Sequence, residues 1–379
     1  MSSRTSGGGA SLPSVRPIDP ATVRRVLVRA TNWFGDVVMI APALRALRRG
    51  FPEARLDILA RASVAHAFDS HPLVDAVVVE ERRSGSGRHN GVFGTLRLAR
   101  DLAGSQYDLA VILPKSIASA LAPALARIPR RVGYATAGRG LLLTDRVPLP
   151  PFADALHHAD FFLGPARYLG CPDDDASLVF HIAEEDRAAA AAFLVERGVR
   201  GGDRRPLVAI HPGASRPERA WSAERFGELA RMVAATGARV LVLGGPRDVE
   251  AAARVLTAAG PAAVDGARLG SLGRMAALVA RCDVFVGNDS GPAHIAAAVG
   301  TRTVSIFGPG VPWKTAPYVP ASRRREVTRH FPCAPCRQEF FAECTPAPSG
   351  KPWCLESVTV EDAFAAVLEL LPPGSGVRS

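Results

Sequence analysis

Asp36 directly follows a glycine in the stretch Asn32-Trp33-Phe34-Gly35-Asp36. An acid at such a turn can serve as a general base that takes a proton from an acceptor hydroxyl, and Gly35 lets a substrate approach the backbone. The competing reading is a plain helix cap, because aspartate is favoured there. A second stretch, His211-Pro212-Gly213-Ala214-Ser215, runs on to Arg216, Arg219 and Trp221. Small residues at a turn expose backbone N–H groups, and an arginine supplies charge for a diphosphate. Arg219 is the better phosphate candidate, since it precedes Trp221 at the entry to a helical segment; a polar surface loop is the alternative. The third stretch is Asn288-Asp289-Ser290-Gly291-Pro292-Ala293-His294. Proline suits the first positions of a helix, which puts Ser290 and Gly291 at a helix N-terminus with free N–H groups. His294 can donate to the same anion.

Two further stretches carry weaker signals. "VLGGPRD" (242–248) ends in Asp248, which can meet a ribose hydroxyl or simply hold a turn; the spaced glycines of a dinucleotide fingerprint are missing. Cys333, Cys336, Cys344 and Cys354 fall within one proline-rich segment. Four thiols of that spacing could hold a structural zinc or remain reduced. Neither metal nor cofactor is required by the chemistry above. Cys171 and Cys282 stand apart and read as packing residues.

The elements that position these residues alternate strand and helix. Strands are expected at 24–30, 55–60, 75–80, 107–113 and 130–134, with helices at 37–51, 96–106 and 119–128. The alternation restarts after a helix at 184–197, with buried strands at 207–211, 239–245, 282–288 and 303–309. Such β-α-β alternation implies parallel sheets covered by helices, here two facing Rossmann-like domains. The division expected is a disordered tail (1–20), a first domain (21–198), a linker (199–206), a second domain (207–357) and a C-terminal helix (358–372). That helix starts with a capping box at Thr359 and Asp362.

With 379 residues, 47% hydrophobic and 22% charged, the chain is long enough for two cores. No apolar run suits a membrane span or a signal peptide, so a cytoplasmic enzyme is expected. The formal net charge is +10, and Lys115, Lys314 and Lys351 are its only lysines. Arginine on that scale suits an anionic substrate or an anionic membrane face. No nucleic-acid motif accompanies it. Arg82, Arg83, Arg88 and Arg97 around one loop, and Arg130, Arg131, Arg139 and Arg146 around another, are candidates for peripheral contact with the inner face of the membrane.

The four ordered stretches, "RRVLVRATNWFGDVVMIAPALRALRRGFPEARLDIL", "VAIHPGASRPERAWSAERFGELA", "LVLGGPRD" and "FVGNDSGPAHIAAAVGTRTVSIFGP", resemble the ADP-heptose:lipopolysaccharide heptosyltransferases, family 9 of the glycosyltransferases. The branch suggested by "NWFGDVVM" and "LPKSIASALAPALARIPRRVGY" is heptosyltransferase II. The resemblance implies a GT-B architecture, α/β, with the acceptor on the first domain and the ADP-sugar donor on the second. It implies Asp36 as catalytic base and Arg219 as the cation on the leaving diphosphate, where many members have lysine. Ala214 and Ser215 fall where members often have two threonines. Asp289, Ser290, Gly291 and His294 match the donor turn, Gly270 the adenine contact, and Asp248 is the ribose candidate. Asn32, Lys115 and Ser116 are expected on the acceptor side; members often have asparagine in place of Lys115. The implied reaction is an inverting transfer of heptose from ADP-L-glycero-β-D-manno-heptose to heptosylated Kdo-lipid A. Two alternatives stand beside it: another GT-B enzyme, using a UDP-sugar or acting as an epimerase, and a non-catalytic protein that docks a partner through its cysteine lobe.

Overall fold

The computed structural model describes residues 18–82, 87–199, 205–267, 270–333, 336, 338–342 and 344–372. The first half runs β1 (Arg25–Arg29), α1 (Phe34–Met39), α2 (Ala41–Gly50), β2 (Arg55–Arg61), α3 (Ala62–Ala65), β3 (Ala76–Glu80), α4 (Gly91–Ala103), β4 (Leu109–Ile112), α5 (Ile117–Leu125), β5 (Arg130–Tyr134), β6 (Asp145–Val147) and α6 (His158–Tyr168). The second half runs α7 (Glu184–Glu196), β7 (Leu207–His211), α8 (Ala223–Ala235), β8 (Arg239–Leu243), α9 (Val249–Ala259), β9 (Ala263–Gly266), α10 (Leu272–Val279), β10 (Val284–Asn288), α11 (Gly291–Ala298), β11 (Arg302–Ile306), α12 (Pro312–Thr315), β12 (Arg324–Val327), α13 (Trp353–Glu356) and α14 (Val360–Leu370).

Each half builds a six-stranded sheet, ordered β3-β2-β1-β4-β5-β6 and β12-β11-β10-β7-β8-β9. Every pairing is parallel. The central strands bury both faces, which is why β4 (LAVI) and the first three residues of β10 (VFV) read as continuous apolar runs rather than alternating ones. Strand order reverses between β1 and β4 and again between β7 and β10. In open α/β sheets, ligands gather at the carboxyl ends of strands flanking such a reversal. The turns after β1, β7 and β10 carry Asp36, the His211 stretch and the Asn288 stretch.

The helix expected at 37–51 is two helices meeting at Ile40. Pro42 lies in the first turn of α2, and its ring cannot sit beside the carbonyl four residues back in a continuous helix. Helix α7 packs on α10, and Leu178, Ile182, Ala190 and Leu194 share a core with Leu207, Ala209 and Phe285. Residues 178–196 thus pack with the second sheet, although chain order groups them with the first. Helix α14 opens on the capping box: Asp362 N–H donates to Thr359 Oγ1 (3.2 Å) and Thr359 N–H to Asp362 Oδ2 (3.1 Å).

Candidate active site

Helix α1 begins after Trp33, which makes no side-chain cap. Asp36 lies inside the first turn, so it is not the N-cap residue, and its carboxylate reaches out of its own helix. Oδ1 stands 3.3 Å from Nδ1 of His158, the first residue of α6. The position also suits a carboxylate electrostatically, since a helix N-terminus is its positive end. The neighbouring His157 is held at both nitrogens: Nδ1 accepts from Ala159 N–H (3.1 Å) and Nε2 donates to the Ala316 carbonyl (2.8 Å). Burial lowers its pKa against the opposing bond to Ala316, and Nδ1 as an acceptor requires the neutral ring. Neither histidine was singled out in the sequence. Their one signal is adjacency at a helix start, which is no specific mark of a site.

On the facing half, Asn288 is fully buried at the end of β10. Its Oδ1 accepts from Trp221 N–H (2.9 Å), and its Nδ2 donates to the carbonyls of Pro212 (2.8 Å) and Gly213 (3.2 Å). One side chain thus ties together the second and third stretches, which lie more than seventy residues apart. Arg219 is not free. It pairs with the buried Asp289 carboxylate, and its Nη2 also donates to the Asp289 carbonyl (3.0 Å). Burial pushes the Asp289 pKa up and outweighs the pull of Arg219 in the other direction. Asp289 therefore serves to aim Arg219.

Helix α11 has no side-chain cap at Ser290; Pro292 carries no N–H and Ala293 donates to the Ser290 carbonyl (3.1 Å), which leaves the Ser290 and Gly291 N–H groups open among the described residues. Ser290 Oγ and His294 Nδ1 are buried beside them without a hydrogen-bond partner among the described residues. Buried polar atoms normally find partners, and a cluster of orphans at a helix N-terminus fits an anion. Burial, reinforced by nearby His157, His158 and Arg219, drives the His294 pKa down to about 3. The ring is neutral at physiological pH and acts as a dipolar donor rather than a charge.

The two halves touch at this point. A Cβ on Gly35 would come within 3.0 Å of His294 Cδ2, and one on Gly291 would come within 2.9 Å of the Phe34 ring. Glycine at both positions lets the N-termini of α1 and α11 abut. Asp36 and the N-terminus of α11 are consequently brought close together.

The remaining sequence candidates divide. Ala214 is half-buried and Ser215 exposed on the turn after β7. The Asp248 carboxylate accepts from Gly245 N–H (2.9 Å) and stands 3.5 Å from His211 Nε2, against Gly213. It holds its own turn in this structure. Gly270 has φ +75°, which only glycine adopts without strain, just before Ser271 caps α10. Asn32 accepts from Arg29 (3.0 Å), part of a buried network in which Arg29 pairs with Glu80 (2.6 Å). Lys115 lies over the Phe161 ring (4.2 Å) at the mouth of β4, and Ser116 begins α5 exposed.

The arginine loops need correction. Arg139 is fully buried and donates to the Tyr134 carbonyl (2.7 Å) and Ser119 Oγ (3.1 Å). Arg130 clasps Asp145 through two bonds, and Arg131 donates to the carbonyls of Ile128 and Leu142. These three staple the chain rather than offer charge to a partner. Arg83 lies outside the described residues. The thiols of Cys333, Cys336, Cys344 and Cys354 are free. Burial and then the neighbouring Cys333 and Cys336 raise the Cys354 thiol to about 11. Among the described residues no group of three or more His, Cys, Asp or Glu is placed to hold a metal ion.

Two Rossmann-type sheets in abutting halves, with Asp36 on one and the Ser290–His294 turn on the other, have the GT-B architecture of a glycosyltransferase. Residues 95–343 match the family model described as glycosyltransferase family 9 (heptosyltransferase), and the chain belongs to that family. It is 28% identical over 308 residues to lipopolysaccharide heptosyltransferase 2 of Salmonella typhimurium, covering 77% of this chain and 85% of that protein. Against the Escherichia coli protein of the same name the identity is 27% over 316 residues, with the same coverage. Among solved structures it is similar to a family 9 glycosyltransferase from Veillonella parvula, with a TM-score of 0.72, 25% identity, and 80% and 86% of the two chains covered. The fold is also that of Escherichia coli ADP-heptose heptosyltransferase II, with a TM-score of 0.71, 24% identity, and 91% and 98% covered. Among the described residues no helix is long and apolar enough to cross a membrane.

Proposed function

We propose that this enzyme transfers heptose from ADP-L-glycero-β-D-manno-heptose to the heptosyl-Kdo-lipid A inner core, with inversion at the anomeric carbon. The observation that supports the reading is the abutment of α1, which carries Asp36, with α11, whose first turns carry the partnerless Ser290 Oγ and His294 Nδ1. Asp36 takes the proton of the acceptor hydroxyl as its oxygen attacks the anomeric carbon. His158 orients the carboxylate from α6. The C–O bond to the diphosphate breaks on the opposite face. The charge that develops there is held by Arg219, by Ser215, by the N–H of Gly291 and by neutral His294. Fixed donors aimed at developing charge are often the largest catalytic contribution. They also remove the need for a metal in this scheme.

Asn32, Lys115 and Ser116 line the acceptor side in this reading, while Gly270 meets the adenine. Asp248 supports the turn behind the ribose rather than binding it, given its bonds to Gly245 and His211. The acceptor is anchored in lipid, so the enzyme works at the inner face of the cytoplasmic membrane. Incubation with ADP-heptose and a heptosylated, truncated acceptor, read by mass spectrometry, tests the proposal. A gain of one heptose is expected; no gain with ADP-heptose, but turnover with a UDP-sugar, would replace it.

A further inference from the structure

Helix α4 exposes Val92, Phe93 and Leu96, at 76%, 79% and 47% of their surfaces. These residues form one turn on one side, and the same side continues into Arg97 and Arg100. Helix α5 packs alongside and presents Ile117, Leu121 and Leu125 at successive turns. Between the helices lies a groove of about 260 Å³ lined by Val92, Leu96, Ala118, Leu121 and Leu125, with Arg82 at its edge. Contiguous exposed apolar surface of this kind normally marks a contact.

The surrounding charge says what the contact is. Residues 87–146 hold nine Lys and Arg against three Asp and Glu. Among the described residues, exposed Arg97, Arg100 and Arg127 have no ion-pair partner. A second copy of the chain set against this face would bring like charges together. Apolar side chains framed by unpaired arginines instead match the boundary between acyl chains and anionic headgroups.

We propose that the α4–α5 face docks on an anionic bilayer, with Val92, Phe93 and Leu96 inserted among the acyl chains. The connections from β3 to α4 and from β4 to α5 leave the carboxyl ends of their strands, the end at which Asp36 follows β1. Docking by this face therefore brings the first-half rim of the cleft towards the lipid surface. The inference names the surface through which the proposed enzyme meets its lipid-anchored acceptor, and rests on that reading for its purpose.

Flotation of the full chain with vesicles of phosphatidylglycerol and phosphatidylcholine, against phosphatidylcholine alone, tests it. Binding is expected on the anionic vesicles and should weaken as salt rises. Phe93→Ser with Leu96→Ser, and separately Arg97→Glu with Arg100→Glu, should each lower binding at least about tenfold. Thermal unfolding and transfer to a lipid-free acceptor should stay as in the parent. Parent-like vesicle binding by both variants, or no binding by the parent at low salt, overturns the docking surface. A dimer in sedimentation velocity that the serine variant dissociates reassigns the face to self-association. Failure of the parent to use a lipid-free acceptor, with vesicle binding intact, refutes the transferase reading and leaves the surface standing.

Discussion

Replacing Asp36 by asparagine separates a base from a structural acid. The change is nearly isosteric, and the structure bounds what it costs the fold. Asp36 is not the N-cap residue of α1, so no capping bond is lost. Its part-exposed contact with His158, at 3.3 Å, contributes at most about 1 kcal/mol. Its place in the first helical turn adds about 0.3–1 kcal/mol. The expected loss of stability is thus under about 2 kcal/mol. Loss of a positioned general base costs about 100- to 10,000-fold in turnover, or roughly 2.7–5.5 kcal/mol of barrier. The proposed donor site lies on the other half, so ADP affinity should hold. Urea unfolding, calorimetry with ADP and initial rates of heptosyl transfer give the three numbers. Turnover within about threefold of the parent, in a protein that folds and binds ADP normally, would refute Asp36 as the base.

Arg219→Ala should weaken ADP binding about tenfold or more, the worth of a charge-assisted bond, and Arg219→Lys should restore most of it. Unchanged affinity by calorimetry in Arg219→Ala would move the diphosphate elsewhere. His294→Ala should have a smaller effect, and its contribution should be flat from pH 6 to pH 8 because a ring with a pKa of about 3 carries no charge there. A rise in His294-dependent affinity towards pH 6 would show a charged imidazole instead. His158→Ala should lower turnover while ADP affinity is unchanged, with partial recovery in His158→Gln; equal losses in both measurements would make His158 a packing residue. Burial lowers the His71 pKa to about 4, so the unfolded chain takes up the proton first as pH falls. This part of the stability is present above pH 6.5 and declines towards pH 4, by about 2 kcal/mol between pH 7 and pH 5. His71→Asn should flatten that slope in urea titrations at the two pH values.

The central strands and the three chemical turns were legible because each pairs a β-branched, doubly buried run with glycine or proline punctuation. β1, β5 and β7 fall where the apolar runs predict them. Of the outer strands, β3 was legible at 75–80 from its valine run, whereas the other three were not. β6 is Asp-Arg-Val, β9 Ala-Val-Asp-Gly and β12 Arg-Arg-Glu-Val. Short edge strands take their conformation from a neighbour's ladder, so their own residues need no apolar pattern. Similar physics hides the site's partners. Asp36 and Arg219 were readable as residue types, but His158 and Asp289 as their respective supports required contacts across 122 and 70 residues. The arginine loops misled for the same reason. Sequence counts charges, whereas Arg130, Arg131 and Arg139 spend theirs on carbonyls and a carboxylate inside the first half.

Val38 leaves the first half through α1 and is buried among Ala293, Ala296 and Phe285 of the second. Phe34 and Tyr318 pack against the cores of both halves. Any motion that parts the halves must bring these side chains into water, and fully uncovering a valine costs about 1.5–3 kcal/mol. In the proposed reaction, spent nucleotide leaves through such a motion. Its residence time on the enzyme would then be governed partly by a hydrocarbon contact two residues along α1 from the proposed base Asp36. A smaller side chain at position 38 shortens the residence time, and a larger apolar one that still fits lengthens it, with every charged group left in place.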